Sequence, residues 1–173
     1  MKLELLISLL FLALPSGVLA QGFNQANVTG HISAEIVNSF SAVESSQMNF
    51  GRFSPGTYGG EIILTPQGTI SVLGSVARSG GLHNSASFFL SGDSYTTFSI
   101  TLPSDATVLT STSDAKTMRV KNWVSTPAPG AGAGSFNNGA QTVYIGATLE
   151  VGSINDNPVG IYTGSYMITF DFN

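Results

Sequence analysis

The stretch GIYTGSYMITFDFN, Gly160 to Asn173, has the most regular alternation of apolar and polar residues in the chain. A period of two residues is typical of a β-strand that buries one face. Such a strand also carries a row of backbone N–H and C=O groups that attracts a neighbouring strand. The stretch therefore predicts a strand that must be covered. Its apolar face comprises Gly160, Tyr162, Gly164, Tyr166, Ile168, Phe170 and Phe172.

The same period recurs along the chain, and a helical period of 3.6 residues is not sustained anywhere. The odd-numbered residues from Val143 to Val151 form a second strong apolar set, and residues 28–36 form a third. Thr65-Pro66-Gln67-Gly68 has the proline and glycine positions of a type I turn between two strands, which predicts a hairpin. Many short strands separated by glycine, serine, asparagine and proline predict an all-β fold, namely an antiparallel sandwich or barrel.

The first twenty residues have the layout of a secretory signal peptide. Lys2 precedes an apolar run from Leu5 to Leu14, and Val18-Leu19-Ala20 is a small-residue cleavage site. We therefore expect residues 1–20 to be removed and residues 21–173 to form a single exported domain. That domain would reside in the periplasm, at the cell surface or outside the cell. No later apolar run reaches the ~18 residues of a membrane-spanning helix.

Composition narrows the classes of function. The chain has a net charge of -4, and only 9% of its residues are charged, so it lacks the basic stripe of a nucleic-acid-binding protein. It contains no cysteine, which excludes disulfides, thiolate metal sites and cysteine nucleophiles.

The sequence shows no convergent catalytic or metal-binding pattern. His31 lies on the polar side of an alternating segment, and His83 lies in a glycine-rich loop. Asp156 is in a run typical of an ordinary turn. The stretch PAPGAGAGSFNN, residues 127–138, lacks the features of a phosphate-binding loop and is predicted to be a flexible connection. We therefore expect a protein that is not an enzyme and that has no metal site and no cofactor.

Three stretches resemble a known group of proteins. The end of the chain resembles the C-terminal motif of chaperone-usher pilus subunits, with Gly160 at the fourteenth position from the end and Phe172 at the penultimate one, where that family usually has tyrosine. NVTGHISAEIVNSF (27–40) and MNFGRFSPGTYGG (48–60) resemble the opening of archaic pilins and spore coat U type domains. The whole layout from Val28 to Phe172, including TPQGT, most resembles the secreted bacterial family named domain of unknown function 4402.

The resemblance implies an immunoglobulin-like, pilin-like sandwich and a role for both alternating segments. Residues 27–38 would be a donor strand that pairs with a neighbouring subunit. The C-terminal strand would be the surface on which a periplasmic chaperone, and later the neighbouring subunit, rests. Archaic pilins commonly carry a disulfide, which this chain cannot form. The implied donor face comprises Val28, Gly30, Ile32, Ala34 and Ile36.

Two alternatives remain at the level of sequence. Both segments could pair within one complete monomer, because a period of two residues is the same whichever chain supplies the partner. The protein could also be a self-contained secreted binding module, for example for surface glycans, that uses Tyr58, Tyr95 or Trp123 as stacking surfaces. A single tryptophan in a strand is, however, also typical of a core residue.

Overall fold

The computed structural model describes residues 25–37 and 39–172; the expected signal peptide therefore lies outside the described residues. The described part of the chain is all-β, as predicted, and has no helix. Its strands are β1 (Ser41–Ser46), β2 (Phe53–Leu64), β3 (Ile70–Arg78), β4 (Ala86–Ser91), β5 (Thr97–Thr101), β6 (Thr107–Ser111), β7 (Thr117–Thr126), β8 (Gly130–Ser135), β9 (Ala140–Val151), β10 (Tyr162–Thr163) and β11 (Thr169–Phe172).

The strands form two antiparallel sheets. The large sheet has the order β1-β4-β9-β7-β6-β10, and the small sheet has the order β11-β5-β8. The long strand β9 organises the large sheet, because one of its edges is shared by two strands: β4 pairs with residues 140–145 and β2 with residues 147–151. Its other edge pairs with β7. This division of β9 also divides the core into two parts.

The first part of the core lies between the two sheets. Phe98 and Ile100 of the small sheet pack in one cluster with Val143 and Ile145 of β9. The second part lies under the other half of the large sheet and contains Ile62, Met118, Val120, Ala147, Leu149 and Val151. The second cluster contacts no side chain of β5, β8 or β11. The small sheet thus covers only half of the inner face.

Local sequence signals explain most of these strands. The odd-numbered residues of β9 are buried, as its alternation predicts. The turn at residues 65–68 joins β2 to β3, and Gly68 adopts a φ of 78° while its N–H donates to the carbonyl of Thr65 at 2.9 Å. Glycine populates this left-handed region at little cost. The predicted hairpin is therefore confirmed.

Strand β7 contains an irregularity that changes which side chains face inward. The register with β9 shifts between Lys121 and Val124, and Asn122 has a φ of 51°. A β-bulge of this kind adds one residue to a strand and so shifts the alternation. As a result, Trp123 turns toward the core and Val124 turns toward solvent.

The glycine-rich stretch 127–138 is not simply a flexible connection, and that prediction was wrong. Residues 130–135 form β8, which pairs with β5. A Cβ added at Gly134 would clash with the ring of Phe98, so only glycine lets the two backbones approach this closely. Here low complexity reflects tight packing.

Two predicted strands are incomplete in the structure. Residues 25–37 form no strand, and Asn38, at the end of the predicted 27–38 segment, lies outside the described residues. The alternating stretch 160–172 contains β10 and β11 but carries no strand pairing at residues 164–168. A strand needs a hydrogen-bonded neighbour, and a correct alternation alone does not supply one.

Within the described residues, no helix has the length and apolar character needed to cross a membrane.

Candidate functional site

A cleft of about 930 Å³ opens over the half of the large sheet that the small sheet leaves uncovered. One wall is formed by residues 44–55, and the other wall is formed by residues 157–166. The floor consists of apolar side chains from several strands. They are Leu109, Met118, Val120 and Leu149. The first wall contains MNFGRF and the second contains GIYTGSY. Each is the beginning of a stretch that the sequence singles out.

The first wall is hydrogen-bonded on only one side. Asn49 exchanges backbone hydrogen bonds with Asn84 at 2.9 Å, and Arg52 N–H donates to the Gly80 carbonyl at 2.9 Å. These contacts extend the pairing of β1 with β4. On either side of Asn49, Met48 and Phe50 make no backbone hydrogen bond within the described chain. In an extended segment, the backbone N–H and C=O groups of successive residues point to opposite sides. Because those of Asn49 bond to Asn84, the backbone groups of Met48 and Phe50 face away from β4.

The second wall keeps the predicted alternation although it is not a continuous strand. Tyr162, Tyr166 and Ile168 are half-buried, whereas Thr163, Ser165 and Met167 are exposed. The wall is fixed at one end by the Tyr162 hydroxyl, which donates to the Pro158 carbonyl at 3.0 Å. Burial, with a smaller contribution from the charge of Asp114, raises the pKa of Tyr162.

Trp123 and Tyr166 line one end of the cleft. Their ring centroids lie 4.6 Å apart. Neither the Trp123 Nε1–H nor the Tyr166 hydroxyl has a hydrogen-bond partner, although both atoms are buried. An unpaired buried polar group is costly, so this end of the cleft is destabilised as it stands. Burial, followed by the charge of Glu44, raises the pKa of Tyr166 to about 12.

The cleft has a charged residue at each end of its first wall. Glu44, which pairs with Phe88, lies close enough to Tyr166 to affect its pKa. Arg52 lies at the other end, beside Gly80 and Gly81. Among the described residues that line the cleft, Glu44 and Arg52 are the two that carry charge. Sequence reasoning missed both, because nothing local marks an exposed charge as part of a wall.

The N-terminal segment, residues 25–37, has no regular secondary structure, and all of its residues are exposed. Val28 is 91% exposed, Ile32 is 99% exposed and Ile36 is 97% exposed. Gly30 has no atom within 4 Å of the position that a Cβ would take. The alternation of this segment is thus a feature of its sequence, and no described part of the chain buries its apolar face.

The remaining predicted residues of the C-terminal stretch lie outside the cleft. Phe170 and Phe172 belong to β11 and complete the aromatic packing between the sheets. The ring of Phe172 stacks on Phe40 with centroids 3.4 Å apart and on Phe136 with centroids 5.6 Å apart. The other edge of β11 is unpaired in the described part of the chain. These side chains are therefore core residues beside a free edge.

The three aromatic residues proposed as stacking surfaces are not brought together. Tyr58 and Tyr95 are almost fully exposed, one in β2 and the other in the turn between β4 and β5. Trp123 is half-buried in the cleft. The structure therefore gives no shared aromatic platform.

The titratable residues are dispersed or engaged in local structure. The side chain of His83 contacts Arg78, with Nδ1 3.2 Å from the guanidinium. Asp156 accepts a hydrogen bond from the Ser153 hydroxyl at 2.6 Å, and this bond lowers the pKa of the Asp156 carboxyl. The described residues contain no group of three histidine, aspartate or glutamate side chains arranged to hold a metal ion.

Comparison with known proteins bears on the family alone. The search of curated proteins and the search of solved structures each found no match. A family model described as domain of unknown function (DUF4402) matches residues 40–172, which include both sheets and both walls of the cleft. The chain therefore belongs to the DUF4402 family, as its sequence layout predicts.

Proposed function

We propose that this protein is a non-enzymatic, exported subunit of an extracellular filament or surface assembly, and that its copies are joined by β-strand complementation. The observation that carries the proposal is that the small sheet packs on only one of the two core clusters, while the second is covered by side chains of the cleft walls, such as Phe50 and Tyr162. In a sandwich, both sheets normally cover one another. Here the place of a further strand is taken by a cleft with an apolar floor.

The N-terminal segment of a second copy matches that place in length. Residues 28–36 comprise nine residues, which span about 30 Å when extended. The two walls, residues 44–55 and 157–166, are twelve and ten residues long, so each is long enough to accompany the whole segment. An inserted strand of this length would reach from one end of the cleft to the other.

The segment also matches the cleft in chemistry. Val28, Ile32 and Ile36 would leave solvent for an apolar floor, and each would contribute about 1.5–3 kcal/mol if fully buried. The backbone of the segment would pair with the unpaired groups of Met48 and Phe50 and with residues 164–168. The backbone carbonyls of an incoming strand would also offer acceptors for the Trp123 Nε1–H and the Tyr166 hydroxyl.

Export is supported by the first twenty residues, which have the charge, apolar run and cleavage site of a signal peptide. A periplasmic chaperone that supplies a temporary strand would meet the same requirement as a second subunit, because the exposed edge must be covered before assembly.

The test is electrophoresis of the purified exported protein without heating, with and without residues 27–38. We expect the full protein to form a ladder of polymers that survives mild detergent and collapses on heating, and we expect the deletion variant to remain monomeric. Because the side chains of residues 27–37 are exposed, the deletion should not lower the free energy of unfolding of the remaining domain. A full-length protein that remains monomeric over a range of concentrations would refute the proposal.

A second candidate is a secreted module that binds surface glycans, and the exposure of Tyr58 and Tyr95 favours it. Exposed aromatic rings can stack on sugar rings. A glycan array tests it, with Tyr58→Ala and Tyr95→Ala as the variants that should lose binding. An array without hits would exclude this candidate.

A further inference from the structure

We infer that the charges at the ends of the cleft set the direction in which the N-terminal segment of a second copy is inserted: the segment runs parallel to residues 44–52 and antiparallel to residues 158–166. This inference rests on the proposed function and adds to it the specificity-determining residues. It is carried by four side chains, two in the segment and two in the cleft.

The two walls have opposite chain directions, so direction matters. β1 and β9 are both antiparallel to β4, and residues 44–52 continue the direction of β1. β7 is antiparallel to β9, β6 to β7, and β10 to β6. The C-terminal wall therefore runs opposite to the first wall. An inserted strand is parallel to one wall and antiparallel to the other, and its backbone pairing alone leaves both choices open.

The cleft is acidic at one end and basic at the other. Glu44 lies at the Tyr166 end, and Arg52 lies at the opposite end. Arg78 also lies near the basic end, because it pairs with Phe53. Beyond the second wall, Lys116 lies close to Asp114 and Asp156, and one cation with two anions leaves a net charge of -1, which is smaller than the +2 of Arg52 and Arg78.

The segment has the complementary arrangement. Within residues 25–37, His31 and Glu35 are the two side chains that can carry charge, and both lie on the polar face, opposite the side chains that would enter the cleft. In the inferred direction, His31 is nearer to Glu44, and Glu35 is nearer to Arg52. The reverse direction would bring Glu35 toward Glu44 and His31 toward Arg52. One direction therefore places Glu35 near the unlike charge of Arg52, whereas the other places it near the like charge of Glu44.

The distances between the charges of the segment and those of the cleft decide whether this difference affects insertion. Glu44 pairs with Phe88, and Arg52 bonds to Gly80, so eight residues separate them, or about 26 Å of strand. His31 and Glu35 are about 13 Å apart. With Ile32 at the centre of the cleft, Glu35 lies one residue, or about 3 Å, along the strand from Arg52, and His31 lies three residues, or about 10 Å, from Glu44. The difference between the two directions is therefore determined mainly by Glu35. The offset between Glu35 and Arg52 is within the screening length of about 8 Å at physiological ionic strength.

Cysteine cross-linking reports the direction, because the chain contains no cysteine of its own. Thr29, Ser165 and Val159 are all exposed, so substitution should not disturb folding. The inferred direction places Thr29 at the Ser165 end. We expect the double variant Thr29→Cys/Ser165→Cys to give a polymer ladder that is cross-linked under oxidising conditions and released by reductant, and Thr29→Cys/Val159→Cys to give a ladder without cross-links. Each single-cysteine variant is the control for accidental disulfides.

Each outcome has a distinct meaning. Cross-linking of position 29 to position 159 would overturn the inferred direction and leave strand complementation standing. A polymer without either cross-link would overturn the inference, because the segment would not occupy the cleft. If neither the variants nor the unmodified protein polymerise, the proposed function itself is refuted.

Charge reversal tests the cause. We expect Glu35→Arg and Arg52→Glu each to slow polymerisation about two- to fivefold at low salt, and the double variant to recover to within about twofold of the original rate. The matched control is Asp93→Arg, which changes the net charge by the same amount as Glu35→Arg at an exposed site away from the cleft. Equal slowing by Asp93→Arg and Glu35→Arg, or no recovery in the double variant, would overturn the role assigned to these charges.

Discussion

Replacement of Ile32 by alanine should separate assembly from folding. Ile32 is 99% exposed, so it contributes almost nothing to the stability of the chain that carries it. In the proposed assembly the same side chain lies at the centre of the inserted segment and is buried. Ile32→Ala removes three carbon atoms, and at about 0.8 kcal/mol per buried CH₂ it weakens insertion by roughly 2.4 kcal/mol. This corresponds to a loss of about 50-fold in the association constant.

The assay measures the stability of the acceptor domain and its affinity for the segment on the same protein. Urea unfolding of a variant that lacks residues 1–38 gives the stability of the acceptor domain, and a synthetic peptide of residues 25–37 is then titrated into it while the intrinsic fluorescence of Trp123 is followed. The Ile32→Ala peptide should bind about 50-fold more weakly than the original peptide. The Ser33→Ala peptide is the matched control, because Ser33 lies on the opposite face. If the two substituted peptides bind equally well, or if Ile32→Ala lowers the stability of the full chain, the reasoning is refuted.

Three further predictions concern the domain itself. Gly134→Val should lower the free energy of unfolding by about 1–3 kcal/mol, because its side chain would press on Phe98; equal stability of Gly134→Val and the exposed control Ala131→Val in urea would contradict this. Because burial raises the pKa of the Tyr166 phenol to about 12, its contribution to the free energy of unfolding is complete below pH 10.0 and is lost as the pH rises from 10.0 to about 12. Tyr166→Phe should remove this loss when the free energy of unfolding is measured as a function of pH. An unchanged pH dependence in that variant would exclude the assignment. Lys121→Met should cost no more than about 1 kcal/mol despite contacts with Glu61 and Glu150, because all three side chains are about one-third exposed; a larger loss that persists in high salt would argue against a screened surface network.

The sequence predicted side-chain faces well and strand partners poorly. The odd-numbered residues of β9, the hairpin at residues 65–68 and the half-buried even-numbered residues of the C-terminal stretch were all predicted from period two. The prediction for residues 127–138 was wrong, because composition does not reveal that Gly134 must pass the ring of Phe98. The inward position of Trp123 required the bulge at Asn122, which no local motif announces.

The candidate site was predicted in part. MNFGRF and GIYTGSY drew attention as sequence patterns, and they became the two walls of one cleft only through pairing with distant residues such as Asn84 and Ser111. The floor residues Met118, Val120 and Leu149 read simply as strand residues. Glu44 carried no signal, and Arg52 was marked only as a member of MNFGRF, without a role of its own.

By itself, the sequence determined that this chain is all-β, which side chains of each strand turn toward an apolar surface, and its membership of the DUF4402 family, because alternation is a local property of an extended backbone. Only the tertiary structure decided that the small sheet covers half of the large one and that a cleft remains over the second cluster. The reason is physical: alternation specifies that a face must be buried, whereas the neighbour that buries it is chosen by contacts between residues far apart in the chain.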